Sequence, residues 1–173
     1  IEDVARRLGT NGYMAFAPDG TLWIADFGND ESPLKQLDPS TFPATGTITP
    51  VRTLTPTYFI SGVYGTLSGA NNVVVDADGG LWTNWWASLA ISYFSASQLA
   101  TGAPDSYRLY SSDVVTSLPS GLAGDAQGGV WWGDEPQDGR GLIYHLAHDG
   151  DAPDAPLSST DVPAPIDLVF DPQ

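Results

Sequence analysis

The sequence predicts an all-β fold made of repeated four-stranded units. One eight-residue motif recurs without gaps at Phe16–Trp23, Val75–Trp82 and Gly124–Trp131, and a fourth copy begins at Phe170. Each complete copy combines a short apolar strand, an Asp-Gly or Gln-Gly turn and a strand of alternating side chains, which is typical of a tight hairpin. Successive copies begin 59, 49 and 46 residues apart. That spacing, without helical periodicity, predicts the blades of a β-propeller.

Further strands after each hairpin complete the predicted units. They lie at 34–37 and 51–54, at 90–94 and 107–110, and at 142–147 with an outer partner within the Asp-, Pro- and Ala-rich segment 149–165. A β-sandwich would also contain many short strands, but it would not repeat one motif at blade spacing. The predicted blades cover 10–55, 70–111 and 119–162, and residues 1–9 and 166–173 are assigned to neighbouring blades.

The repeated motif resembles that of a known group of propellers. The succession of an apolar residue, Asp, Gly and Leu-Trp in Val75–Trp82 is similar to the blade motif of NHL-repeat proteins. It is equally similar to the motifs of the gluconolactonase family and of the streptogramin (virginiamycin B) lyases. The resemblance covers three motif copies and the start of a fourth, which is almost the whole chain. It implies the fold and leaves the activity open, because the motif mainly builds the inner hairpin of a blade.

Three blades with flanking strands do not close a ring by themselves. The resemblance implies six or seven blades, and even the smallest closed propellers contain about four. We therefore expect either a fragment of a larger ring or two or more copies that assemble one. The break inside the fourth motif favours the fragment. An open end would expose unpaired strand edges, which promote self-association.

Charge and composition exclude several classes of protein. The chain holds 21 acidic and 6 basic side chains, a formal net charge of −15, so we expect no nucleic-acid partner. No apolar run approaches the roughly 20 residues that cross a bilayer, and no membrane span is predicted. The absence of cysteine excludes disulfides, thiolate metal sites and cysteine nucleophiles. Together with the single lysine, Lys35, it favours an extracytoplasmic location: periplasmic, cell-surface or secreted.

Propeller topology selects the candidate ligand-binding residues. Loops that lead into the inner strand and loops that leave the second strand emerge on one face, around the mouth of the central channel. The candidates at this mouth are Asn71, Asn72, Asn84, Trp85, Trp86, Ser120, Asp134 and Glu135, with Asn11, Asp26 and Asp167 at matching positions. The motif carboxylates Asp19, Asp76 and Asp78 fall on the opposite face, where we expect them to form turns.

A divalent cation is the cofactor that this set would take. Carboxylate and amide oxygens suit Ca²⁺ or Mg²⁺, and the predicted ligands are Asn71, Asp134 and Glu135. The resemblance to gluconolactonases implies a ligand at the start of an inner strand, where Asn71 lies, and Ser120 stands where another polar ligand is expected. The N-terminal glutamate motif of that family is absent. In the alternative interpretation, Asn71 and Asn72 bond to nearby backbone at strand ends.

Tryptophans and histidines complete the set of candidates. Neighbouring strand residues point to opposite faces, so one of Trp85 and Trp86 should pack between blades while the other is available to stack on a sugar or another ring. The motif residues Trp82 and Trp131 are predicted to be core. His145 and His148 are expected to be packed or surface side chains. The stretch 149–154 is predicted to be a mobile acidic loop.

No complete catalytic set is recognisable, and no catalytic residue is assigned. The sequence lacks the Gly-x-Ser-x-Gly elbow of serine hydrolases and a full dinucleotide-binding glycine motif. We therefore expect an extracytoplasmic binding module that presents the channel mouth to a small molecule, a glycan or a protein. The alternatives are a divalent-metal-dependent lactone hydrolase or lyase, and a structural repeat domain of a surface protein.

Overall fold

The computed structural model describes residues 13–28, 33–60, 63–101, 108–110, 118–135, 141–159 and 168. Within these ranges the chain forms antiparallel sheets, as the all-β prediction requires. No helix in this part of the chain is long and apolar enough to cross a membrane.

The first sheet, blade 1, is a meander of four strands in chain order. They are β1 (Met14–Phe16), β2 (Leu22–Ala25), β3 (Leu34–Leu37) and β4 (Arg52–Leu54). The β1–β2 hairpin turns at Asp19, whose Oδ1 accepts hydrogen bonds from N and Oγ1 of Thr21 at 2.9 and 2.7 Å. Gly20 has a φ of +83°, in the left-handed region that glycine adopts most readily.

Blades 2 and 3 repeat the meander. Blade 2 contains β7 (Ala70–Val75), β8 (Leu81–Trp85), β9 (Ala90–Phe94) and β10 (Arg108–Tyr110), and blade 3 contains β11 (Leu118–Gly124), β12 (Val130–Glu135), β13 (Gly141–Leu146) and β14 (Leu157–Ser159). Their first hairpins turn in the same way. Asp76 Oδ1 accepts from the backbone N of Gly80 at 2.7 Å, and Asp125 Oδ1 accepts from that of Gly129 at 2.8 Å. The motif carboxylates Asp19 and Asp76 are therefore turn formers, as predicted.

Sequence analysis missed three elements, the first of which is a one-turn 3-10 helix at Pro39–Thr41 between β3 and β4. A separate hairpin of β5 (Thr57–Ile60) and β6 (Val63–Thr66) connects blades 1 and 2. A short helix, α1 (Ala96–Thr101), lies between β9 and β10. Its start is stabilised reciprocally, because Ser95 N donates to Gln98 Oε1 at 2.8 Å and Gln98 N donates to Ser95 Oγ at 3.3 Å. This Ser-x-x-Gln arrangement is the capping box of a helix and is readable in the sequence.

Neighbouring blades pack face to face. One apolar cluster joins blades 1 and 2 and includes Trp23, Leu34, Leu54, Leu81, Trp85 and Phe94. A second joins blades 2 and 3 and includes Trp82, Ile91, Tyr110, Leu122, Trp132 and Leu146. Side chains of a strand alternate between its two faces, so a blade between two neighbours is buried at every position of its central strands, as β8 and β9 are.

Polar bonds fix the blades at matching positions. Arg52 of blade 1 donates through its guanidinium to the backbone oxygen of Leu99, in the segment that follows β9 of blade 2. Arg108 of blade 2 donates in the same way to the backbone oxygen of His148, which follows β13 of blade 3. Trp82 Nε1 adds a bond of 2.9 Å to the backbone oxygen of Gly128. Each interface therefore combines apolar packing with bonds that set how one blade lies on the next.

Two sequence interpretations need correction. Trp82 is fully buried, as predicted, but Trp131 is only half-buried, because it lies on the face of blade 3 that points away from blade 2. The stretch 149–154 is tied to β13 and is not a free loop. Asp154 N donates to the backbone oxygen of His145 at 2.8 Å, and its Oδ2 lies 2.7 Å from His145 Nδ1.

The buried motif tryptophan should carry much of the interface stability. Trp82→Phe removes the bond to Gly128 and part of the packing, so we expect a loss of about 1–3 kcal/mol in the free energy of unfolding. The measurement is urea denaturation followed by far-ultraviolet circular dichroism. The control is Trp86→Phe, at an indole that is 41% exposed, where we expect a change within about 0.5 kcal/mol. Equal losses in both variants would contradict this account.

Candidate channel-mouth site

The ends of the blades opposite the Asp-Gly turns form the predicted channel mouth. Backbone hydrogen bonds join blades 1 and 2 at this end. Tyr13 N donates to the backbone oxygen of Asn71 at 2.9 Å, and Tyr13 O accepts from Ala25 N at 3.0 Å. The first residue before β1 is therefore held between the end of β2 and the start of β7.

Asn84 connects two blades from a fully buried position. Its Oδ1 accepts from the backbone N of Asn72 at 2.6 Å, where the β7–β8 register shifts between Ala70 and Val73. A register shift leaves backbone groups without their ladder partners, and the amide supplies one. Its Nδ2 donates to the backbone oxygen of Pro119 in β11 at 2.7 Å. Asn84 therefore stabilises the junction of blades 2 and 3 and is not open to a ligand.

The two asparagines at the start of β7 differ in accessibility. Asn71 is half-buried, whereas Asn72 is 3% exposed. Among the described buried side chains, Asn72 Nδ2 is one of the few polar atoms without a hydrogen-bond partner. Asn72 Nδ2 therefore does not donate the strand-end bond of the alternative interpretation, and the bonds described at this point come from Asn84 Oδ1 and Tyr13 N. Of the two, Asn71 is the one that a ligand could reach.

The tryptophan pair divides as predicted. Trp85 is fully buried between blades 1 and 2, and its Nε1 donates to Ser92 Oγ at 2.8 Å. Trp86 is 41% exposed, and its ring meets that of Phe27 edge to face with centroids 5.6 Å apart. Tyr13, equally exposed, lies at the same end of blade 1. Tyr13, Phe27 and Trp86 are called the mouth patch below.

The carboxylates predicted at the mouth are buried. Asp26 is 1% exposed and forms an ion pair with Lys35 on the face of blade 1 that points away from blade 2. Asp134 is fully buried in β12, opposite Pro119. Ser120 is half-buried, and its hydroxyl lies 3.4 Å from the backbone oxygen of Gly133. The two carboxylates are therefore buried within the blades, where the sequence suggested open ligands.

Part of the predicted set of mouth residues lies outside the described residues. The side chain of Glu135 and the positions of Asn11 and Asp167 fall outside the described residues. Across the part of the chain that is described, no three His, Asp or Glu side chains come together in a group that could hold a metal ion. Asn71 and Asp134 do not form such a group by themselves. Coordination by Asn71, Asp134 and Glu135 therefore stays a prediction.

A charged network occupies the opposite end of blade 3. His145 Nε2 lies 2.9 Å from Asp125 Oδ2, and its Nδ1 lies 2.7 Å from Asp154 Oδ2, with the ring stacked on Trp131. Burial lowers the pKa of His145, but the bonds to Asp154 and Asp125 outweigh it, so the pKa is raised. Burial likewise raises the pKa of Asp125, yet bonds from His145 and two backbone amides leave it lowered. The His145 side chain thus joins the first hairpin to the segment that precedes the outer strand.

Blade 2 builds a related network on its own motif. Tyr93 OH donates to Asp76 Oδ2 at 2.8 Å and lies 3.0 Å from His148 Nε2 of blade 3. The guanidinium of Arg108 lies 4.5 Å from the Tyr93 ring centroid. Burial, followed by the bond to Asp76, raises the pKa of the Tyr93 phenol, so the hydroxyl keeps its proton. In blade 1, Gln36 takes the place of Tyr93, because it pairs with the motif residue Trp23 as Tyr93 pairs with Trp82. Gln36 Nε2 donates to Thr21 Oγ1 at 2.9 Å.

The substitutions between repeats leave a cleft that sequence analysis missed. It lies between blades 1 and 2 on the turn side, has a volume of about 340 Å³, and is lined in part by Trp23, Arg52, Asp78 and Ala96. At the junction of blades 2 and 3, His148 stands where Ala96 stands here, and the remaining space is about 110 Å³. Comparison of Ala96, which follows β9, with His148, which follows β13, could have indicated that more space is open between blades 1 and 2 than between blades 2 and 3.

Solved structures share this architecture. The virginiamycin B lyase of Staphylococcus aureus superposes on 90% of this chain with a TM-score of 0.55 at 14% identity. A putative 6-phosphogluconolactonase from Bacteroides uniformis superposes on 83% with a TM-score of 0.54 at 14% identity. A chain of the nidogen–laminin complex superposes on 82% with a TM-score of 0.53 at 14% identity. No family profile and no curated protein matches the sequence.

These similarities establish the β-propeller fold. The chain spans 42% of the virginiamycin B lyase chain, 39% of the putative 6-phosphogluconolactonase chain and 46% of the chain from the nidogen–laminin complex. Three four-stranded sheets over that share of a propeller make the described residues part of such a ring, as the sequence predicted. At this level of identity the likeness concerns the fold alone.

Asn84 should be the most sensitive of the predicted mouth residues for stability. Asn84→Ala leaves the Asn72 N–H and the Pro119 carbonyl buried without their partner, so we expect a loss of about 2–4 kcal/mol in the free energy of unfolding. The matched control is Asn71→Ala, because the bond from Tyr13 goes to the Asn71 backbone and survives. Urea denaturation of both variants is the measurement, and a larger loss in Asn71→Ala would contradict the assignment.

His145 should make stability depend on pH. Its pKa is raised in the folded state above the ordinary 6.5, so its contribution is complete below pH 6.5 and is lost as the pH rises through the folded-state pKa. We expect His145→Gln to destabilise the protein most below pH 6.5 and progressively less as the pH rises above it. Denaturation across this range is the measurement. Asp154→Asn should weaken the same pH dependence, and a pH-independent effect of His145→Gln would contradict it.

Proposed function

We propose that this propeller is a binding module that holds a ring-containing ligand, of the glycan class, against the mouth patch. One observation carries the proposal: Trp86 is 41% exposed at the predicted mouth. Asn71 and Ser120 are half-buried there, and the other predicted candidates are either buried or outside the described residues. An exposed indole supplies a flat apolar face for a sugar ring at a low cost in side-chain entropy.

The geometry around Trp86 supports a positioned platform. The edge-to-face contact with Phe27 restricts the indole, and Trp86 N donates to the backbone oxygen of Gly69 at 2.9 Å. The half-buried amide of Asn71 starts the neighbouring inner strand and could bond to ligand hydroxyls. A rigid aromatic surface beside an amide is the combination that binds a polar ring ligand with little ordering on binding.

The metal-dependent alternative has weaker support. Lyase or lactone-hydrolase chemistry at this mouth would rest on the fold shared with the virginiamycin B lyase and the putative 6-phosphogluconolactonase. The described side chains provide no acidic or histidine group of three for a divalent ion, and Asp134 is fully buried. We therefore derive no reaction step through a metal. The nidogen–laminin complex favours a binding role for a chain of this fold.

We also place the protein outside the cytoplasm, with ligands other than nucleic acids. The support is compositional: no cysteine, one lysine and a net charge of −15, which repels phosphate backbones. A basic protein is the class of protein partner that the net charge of −15 favours. A structural role without any ligand would leave the exposure of Trp86 without function.

The test is a glycan array followed by fluorescence titration of the oligosaccharides that bind. We expect saturable binding that quenches or shifts the emission, because Trp86 is the most exposed of the six tryptophans where exposure is described. Trp86→Ala should weaken binding at least about tenfold, a loss of about 1.4 kcal/mol, since the ring face is removed. Trp86→Phe should retain part of the affinity.

Two controls separate binding from folding. Trp86→Ala should keep the urea midpoint of the parent, because the indole is exposed, and Phe42→Ala, at a ring 37% exposed in another loop, should leave the affinity unchanged. Absence of binding across the array, or unchanged affinity in Trp86→Ala, would overturn the glycan proposal. Retention of a basic protein in place of glycans would show a protein-binding mouth.

A further inference from the structure

Blade 1 has one face that points away from blade 2, and blade 3 has one face that points away from blade 2; these are called the outward faces. They expose positions that are buried at the two inner interfaces, between blades 1 and 2 and between blades 2 and 3. In blade 1, Met14 and Phe16 on β1 are 60% and 68% exposed. Both lie on the same face as Leu22 and Ile24, because directly paired residues share a face of the sheet. That face points away from blade 2.

The corresponding positions in the other blades are covered by a neighbour. Val73 and Leu122 take the place of Met14, as their pairing with the second strand shows, and they are 4% and 5% exposed. Gly124 takes the place of Phe16, and a Cβ there would lie 2.6 Å from Val74 of blade 2. Blade 1 therefore presents large apolar side chains where blades 2 and 3 receive another sheet.

Blade 3 shows the complementary exposure. Leu157 on β14 is 61% exposed and pairs with Ile143, which is half-buried. The residues at the position of Leu157 in blades 1 and 2 are Leu54 and Tyr110, which are 3% and 7% exposed at the inner interfaces. Trp131 is half-buried on the same outward face, whereas Trp23 and Trp82 are 1% and 0% exposed.

We propose that a second copy of this chain docks on these faces, so that blade 3 of each copy packs against blade 1 of the other and two copies close one six-bladed ring. The contact is head to tail and occurs twice, related by a two-fold axis along the channel. Leu157 and Trp131 of one copy then cover Met14 and Phe16 of the other, as Tyr110 and Trp82 cover blade 3 within the chain.

The complementarity of the two outward faces favours a second copy as the occupant. Both outward faces belong to this chain, and each presents the residues that the opposite face covers at the inner interfaces. The chain spans 39–46% of two propellers that it matches, so its three blades do not close a ring of that size by themselves. The net charge of −15 per copy opposes association, which predicts that salt strengthens the dimer by screening. The proposal is independent of the ligand at the mouth.

The experiment is light scattering behind a sizing column on the 173-residue chain, at about 50 mM and about 500 mM salt. We expect twice the mass of 18.3 kDa at high salt and partial dissociation at low salt. A monomer at both salt concentrations would overturn the proposal, and so would an open-ended series of oligomers, because the ring would not close.

Charge substitutions identify the contact. Phe16→Glu and Leu157→Glu should each give monomers, because every junction then contains one altered face, and a mixture of the two should recover dimers through one intact junction. Trp86→Ala, away from both faces, should remain dimeric. Folding of each variant is checked by circular dichroism, and the high exposure of both sites leaves the monomer fold intact. Retention of the dimer in Leu157→Glu alone would overturn the head-to-tail contact.

Discussion

The fold depends on one constraint: a blade between two neighbours has two apolar faces, and each face requires another sheet. Alternation along β8 directs Leu81 and Trp85 toward blade 1 and Trp82 toward blade 3, so blade 2 is buried at every position of its central strands. Apolar packing alone would allow sheets to slide over each other. The bonds from Arg52, Arg108 and Trp82 to backbone oxygens of the next blade occur at fixed positions, and they set the alignment that the packing stabilises. The same constraint makes the outward faces of blades 1 and 3 the natural place for association.

The polar residues near the mouth are mostly used to hold the scaffold. Asn84 supplies the partner of a backbone N–H where the β7–β8 ladder is interrupted, and it reaches across to blade 3. Asp26 is neutralised by Lys35 within its own blade. Burial of a charge or an amide is costly unless the group is paired, and Asn84 and Asp26 form their bonds within the scaffold instead of facing a ligand. Among the predicted candidates whose burial is described, Trp86 is the most exposed, and Asn71 and Ser120 are half-buried.

The turn side shows how small substitutions between repeats change the available chemistry. Blade 3 places His145 between two carboxylates, blade 2 places Tyr93 between a carboxylate and His148, and blade 1 places Gln36 against a threonine hydroxyl. The backbone position is the same in all three blades, but the charge and the pKa values differ. Where His148 is replaced by Ala96 in the preceding junction, a cleft of about 340 Å³ opens. Repetition thus conserves the fold while the side chains vary independently.

The sequence by itself determined the all-β class, the repeated hairpin and the division of the Trp85–Trp86 pair, because these depend on local turn chemistry and on strand alternation. The capping box before α1 was also readable, although it was missed. Only the tertiary structure decided which side chains are accessible. Asn84 and Asp134 are buried because each lies on a face that packs against a neighbouring blade, and Trp131 is half-buried because it lies on an outward face. Local pattern specifies the face on which a side chain lies, whereas burial depends on what packs against that face, and that partner lies far away in the chain.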